Sequence, residues 1–285
     1  MKKRKAATQD FSIDKLPHNR VEVFFDRLKM RWPLFLLLGL ILSLSILPSL
    51  LVLFLRDASV VSLTSAYQEG TSDLATYQSA IRSTENLYAL FLIPCLVLFS
   101  VPFSGVMRVI RQLSWGEGIF FGEDFKDGVK QNGLAYAFLF LGAGLFYVLD
   151  SFVLNAGFGY PVLQALPYGL SVVFFLPIAF LFLSHVDVYK ASFKDAMKNS
   201  TILFFKNLGG SYLGVIAFLA PLLFLLIPSV IAQLISLFFS FLLYYPLVLF
   251  GWMLYCHSLF DRFINPTNCP NLVDRGVYRL GKKGK

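Results

Sequence analysis

The chain has 285 residues, of which 56% are apolar and only 15% charged, with 31 phenylalanines. Soluble domains carry about 45–50% apolar and about 25% charged residues, so this composition excludes an ordinary soluble surface, which would aggregate. Much of the net charge of +8 sits in two tails, residues 1–5 and 281–285, that flank apolar segments, and basic tails beside anionic lipid account for it without nucleic acid.

In chain order, residues 1–32 read as a tail that ends in an amphipathic helix from about Arg20 through Trp32. Val21, Phe24, Phe25, Leu28 and Trp32 make one apolar stripe, and Arg20, Arg27, Lys29 and Arg31 line much of the remainder. Residues 33–55 carry no charge. About 20 apolar residues cross a hydrocarbon core of roughly 30 Å, so this is a first span. It follows a long polar leader, which reads as a retained anchor rather than a signal peptide. Residues 56–86 form a Ser/Thr-rich loop, part of which, 72–84, could be a short helix over the bundle. Residues 87–107 are a second span. From 133 to 184 the only charged residue is Asp150, which gives length for two spans turning around 155–161. From 207 to 259 there is no Asp, Glu, Lys or Arg, again two spans, turning near 229–234. Residues 260–285 are a basic tail.

The fold expected is therefore all-α, a membrane domain over 33–259 with six transmembrane helices as three hairpins, or four if the last two pairs are re-entrant. With six spans, 23 Lys and Arg residues fall on one side and two, Arg56 and Arg82, on the other. The positive-inside rule then expects both termini in the cytoplasm and the chain in the cell membrane.

One pattern recurs on the basic side: Phe, any, Asp, any, large apolar, Lys. It appears as Phe24, Asp26, Lys29; as Phe125, Asp127, Lys130; and as Phe193, Asp195, Lys198, each about seven residues before an apolar run. On a helix the Phe faces the headgroup boundary, while Asp and Lys three apart pair toward water. Either a threefold-repeated architecture or the common grammar of interfacial helices produces this. Both readings expect contact with the bilayer and its anionic headgroups.

Pro102-Phe103-Ser104-Gly105-Val106-Met107-Arg108, followed by residues 121–132 with Phe125, Asp127, Lys130 and Asn132, resembles the YesL-like family of bacterial membrane proteins, whose function is unknown. The stretch 193–206 is similar to it as well. The resemblance covers about half of the chain. It implies an accessory role in solute import, carbohydrate in particular, with other membrane transport subunits as partners. It brings no catalytic residue.

Few residues suggest chemistry. Asp150 is the one ionisable group inside an apolar run and hence a candidate ion or substrate contact. Its distance from the start of the third span, roughly 25 Å, instead puts it near the outer interface, where it would meet water. Eight prolines in apolar segments should bend helices. The Gly142-Ala143-Gly144, Gly209-Gly210-Ser211 and Gly214 patches suit close helix contact. Cys95, Cys256 and Cys269 form no framework, and His18, His185 and His257 no metal signature, so neither metal nor cofactor is expected. His185 and Asp187 diverge by about 200 degrees on a helix and should not pair. No motif supports an enzyme. Two functions stand open: an accessory component of solute import, and a membrane scaffold or regulator acting through the basic interfacial helices.

Overall fold

A computed structural model describes residues 16–156 and 160–278. Among them, six helices are long and apolar enough to cross a membrane. The first, α1 (Arg20–Gln68), is started by Asn19, whose side chain accepts from the Glu22 amide at 2.8 Å. Its backbone leaves helical geometry once, at Arg31 (φ −125°, ψ 26°), two residues before Pro33, whose ring removes a donor from the turn. That kink sets the amphipathic N-terminal segment off from the span proper.

The structure departs from sequence expectation at residues 56–86. The chain stays helical there: α1 continues to Gln68, a turn occupies 69–73, and α2 (Leu74–Trp115) begins at once, with Asp73 as its cap. Ser59 and Thr64 look like loop residues, yet each hydroxyl donates to its own helix, to the carbonyls of Leu55 and Val60 at 2.8 Å. Tyr67 stacks on Tyr77 at 4.8 Å and zips the two helices together. With 49 residues in α1 and 42 in α2, and about 1.5 Å of rise per residue, this hairpin outreaches a hydrocarbon core of roughly 30 Å.

The second hairpin pairs α3 (Phe121–Asn155) with a composite span: α4 (Pro161–Leu170), a π turn (Ser171–Phe175) and α5 (Leu176–Val188). After α6 (Phe193–Lys206), α7 (Leu208–Leu219) runs into a 3-10 segment (Ala220–Leu226). The return is α8 (Val230–Phe239), a second π turn (Ser240–Tyr244) and α9 (Tyr245–Phe263), followed by the short α10 (Asn265–Asn268). The last turn lies at 227–229, slightly ahead of the expected place. Each π turn is followed two residues later by a proline, Pro177 or Pro246. Each proline removes the donor that would have bonded the carbonyl four residues back, Val173 or Leu242, at the middle of the π turn.

Close packing explains several glycines. A methyl group on Gly39 of α1 would run into the freed Leu242 carbonyl, and one on Gly210 or Gly214 of α7 into Tyr255 or Trp252 of α9. Gly142 and Gly209 have open space around them, so only part of the small-residue patches serves helix contact. The core is aromatic, with Phe180 and Phe218 stacked at 4.0 Å and Trp252 edge-on to Phe218.

The two ends of the described chain meet on one face. Arg20 pairs with Asp261 at 2.7 Å, and the Tyr278 amide donates to the Pro17 carbonyl at 2.9 Å. We call this the terminal face.

Candidate functional site: a basic cavity at the terminal face

A cavity of about 600 Å³ opens where α2, α3 and α5 end. The last turns of α2 supply Arg108 and Arg111, α3 supplies Gln131 and Asn132, and α5 and its exit loop supply Asp187, Tyr189 and Lys190. Gly116 stops α2 in the left-handed conformation (φ 71°), and the Glu117 amide folds back onto the Gln112 carbonyl at 3.1 Å.

Asp187 is buried, and its carboxylate is held by neutral donors. Asn132 Nδ2 donates to Oδ1 and the Tyr136 hydroxyl to Oδ2, each at 2.5 Å. Asn132 and Tyr136 lie four apart on α3 and therefore share a face. No guanidinium forms an ion pair with Asp187 among the described residues; Arg111 donates only to its backbone carbonyl, at 3.2 Å. Arg111 thus has partners of its own, and the unspent guanidinium is that of Arg108. Arg108 has neither ion pair nor hydrogen bond among the described residues, and its Nε is buried without an acceptor, as is that of Arg111. These two Nε atoms are buried behind the cavity wall, and it is the residues Arg108 and Arg111 as a whole that line it. Arg111 is fixed in place by stacking over Trp115, with 4.2 Å from its guanidinium carbon to the ring centroid. Arg275 lies over the same ring and pairs with Glu117, which is 4.0 Å from Arg111.

A chain of hydrogen bonds leads away from the cavity. The Tyr189 hydroxyl donates to Asn265 Oδ1 at 2.5 Å, Asn265 Nδ2 to Asp261 Oδ1 at 2.8 Å, and Arg20 to Asp261 Oδ2 at 2.7 Å. Burial raises the Tyr189 phenol well above its ordinary pKa, so it stays a donor at any physiological pH.

His185 faces Asn199, 3.3 Å away, and not Asp187, in keeping with their divergence on a helix. All three phenylalanines of the repeated motif touch the bundle, although Phe193 stays exposed. Phe24 stacks on Phe250 at 5.5 Å, the Phe125 ring covers Gly105, and Phe193 lies 4.8 Å from Phe182. Of the N-terminal stripe, Phe24 and Leu28 pack on the core, while Val21, Phe25 and Trp32 stay exposed. The expected i, i+3 ion pairs do not form among the described residues: Asp26 lies 3.6 Å from Arg27 rather than pairing with Lys29, and Asp127 and Lys130 make no pair. Asp195 is taken from Lys198 by Ser192, whose hydroxyl donates to it at 2.6 Å while accepting from its amide at 3.1 Å, a helix cap that competes with the ion pair.

Asp150 lies five residues before the end of α3, and it is buried rather than open to solvent. It is 3% exposed, covered by α4 and the first π turn, and its Oδ1 has no partner. Beside it, Ser151 and Asn155 both donate to Asn86 and tie α3 to α2.

Sequence reasoning missed Arg108, Arg111, Asn132, Tyr136 and Lys190 as a group. The one signal within reach was the i, i+4 spacing of Asn132 and Tyr136 at the mouth of a span. Among the described residues no cluster of His, Cys, Asp and Glu could hold a metal ion. No family model, curated protein or solved structure matches the chain.

Proposed function

We propose that this chain is a membrane-embedded regulator that binds a phosphate-bearing anion in the Arg108–Arg111–Lys190 cavity, on the cytoplasmic side of the cell membrane. Arg108 carries the reading: a guanidinium that faces a polar cavity with no acceptor of its own, beside a carboxylate already satisfied by neutral donors. The distribution of 23 basic residues against two supports the cytoplasmic side. The bonds from Tyr189 through Asn265 and Asp261 to Arg20 supply a route by which an occupied cavity alters the surface formed by the chain ends. An accessory role in carbohydrate import, implied by the YesL-like resemblance, gives that surface a use as the contact for a transport subunit.

The ligand's phosphate can belong to a lipid headgroup or to a soluble molecule, and one experiment separates them. Wild type and Arg108→Gln are placed in nanodiscs of phosphatidylcholine, with and without inorganic pyrophosphate, and in nanodiscs containing phosphatidylglycerol. A lipid ligand raises the wild-type thermal midpoint in phosphatidylglycerol alone, a soluble one with pyrophosphate alone, and Arg108→Gln loses the gain. A ligand at 100 times its Kd adds about 2.7 kcal/mol. No gain in either arm, or an equal gain in the variant, refutes the reading.

A further inference from the structure

A second cavity, of about 470 Å³, lies between α3 and the α4–α5 span, away from the basic site. Its volume falls in the range of small-molecule sites. The walls are apolar apart from Asp150, Ser171 and Thr201. Thr201 spends its hydroxyl on its own helix, on the Met197 carbonyl at 2.9 Å. Asp150, which is 3% exposed, is bonded to Ser171 but keeps its Oδ1 without a partner. Along α3 the lining runs from Leu139 to Asp150, about 16 Å at 1.5 Å per residue, so the cavity is a slot with its acceptor near one end. Helix α6, through Met197 and Thr201, contributes to the opposite end. Exposed Phe146, Leu149, Leu170 and Phe174 form a rim that opens sideways, toward the hydrocarbon that surrounds such helices.

We propose that this slot binds a linear, single-chain amphiphile whose head donates a hydrogen bond to Asp150 and whose tail lies along α3 toward Thr201. An unpaired carboxylate oxygen among apolar walls calls for a donor, and a hydroxyl or ammonium head supplies one. A carboxylate head is a second acceptor and is repelled. The slot opens to lipid, so transfer of a tail into it gains little by itself. Asp150 therefore selects the head, and the length of the slot limits which tails fit beside it.

The test measures equilibrium binding of dodecanol, dodecylamine and dodecanoate to the purified full chain in detergent. The alcohol and the amine bind at least tenfold more tightly than the acid, and Asp150→Leu erases that difference. Thr201→Phe leaves Asp150 in place and fills the far end of the slot. It keeps wild-type affinity for octylamine and weakens dodecylamine at least tenfold. Equal binding of the three heads by the wild type overturns the proposal, as does a Thr201→Phe variant with unchanged chain-length preference. The second variant decides the matter even if Asp150→Leu does not fold.

Discussion

Among the described residues two aspartates are buried, and they are treated in opposite ways. Asp187, at the terminal face, receives two short hydrogen bonds from α3. Asp150, toward the other end of the same helix, keeps one oxygen unpaired. Burial of a carboxylate costs free energy in either place, and hydrogen bonds recover part of it: both oxygens are held at Asp187, whereas Asp150 is bonded to Ser171 and has one oxygen left over. The difference teaches that burial alone does not mark a ligand site. A carboxylate braced by neutral donors organises its neighbours and leaves nearby cations free. A carboxylate left open is where the proposed amphiphile would find its acceptor.

Three substitutions bear on that contrast, taken from the largest effect to the smallest. Asp187→Ala strands the Tyr136 hydroxyl and the Asn132 amide in a buried site, and we expect a loss of about 3 kcal/mol in detergent unfolding. Stability close to wild type would mean that the brace is ornamental. Tyr136→Phe removes one of the two bonds and keeps the ring, which packs 5.9 Å from Phe103. A hydrogen bond to a charged group contributes about 1.5–3 kcal/mol, so the loss should fall near the lower figure while Asn132 still holds Oδ1. Asp150→Asn should leave the unliganded protein unchanged or more stable by about 1 kcal/mol, because it removes a carboxylate without a full set of partners. A clear destabilisation by Asp150→Asn in the same assay would erase the contrast.

The membrane architecture was legible because a span announces itself by what it lacks: 33–55 and 207–259 contain no charge, and a helix satisfies the backbone of such a segment within the segment itself. The helical hairpin over 56–86 was not legible, since Ser59 and Thr64 have loop chemistry until their bonds to Leu55 and Val60 are seen. The basic cavity was hidden for a different reason. Asp187 and Asn132 are 55 residues apart, and their partnership exists only because α3 and α5 cross at one level. Asp150 was visible as a lone charge, but its cover comes from a π turn around Ser171, which no periodicity of apolar residues announces. In the repeated Phe-Asp-Lys motif the partner of Asp195 is Ser192, three residues before it, and not Lys198, three residues after it.

The contact between Gly39 and the Leu242 carbonyl joins the first span to the last, and Ser43 adds a bond to the Phe238 carbonyl at 3.3 Å. Such a contact governs biogenesis. While the chain is being made, α1 can lean on α2, but its other face has no protein partner until residues beyond 230 have entered the bilayer. A chain stalled or cut before that point keeps a bare face on its oldest helix, open to quality-control machinery or to a neighbouring chain. The span that carries Leu242 thus shelters the span that carries Gly39 only after the four spans between them have been made.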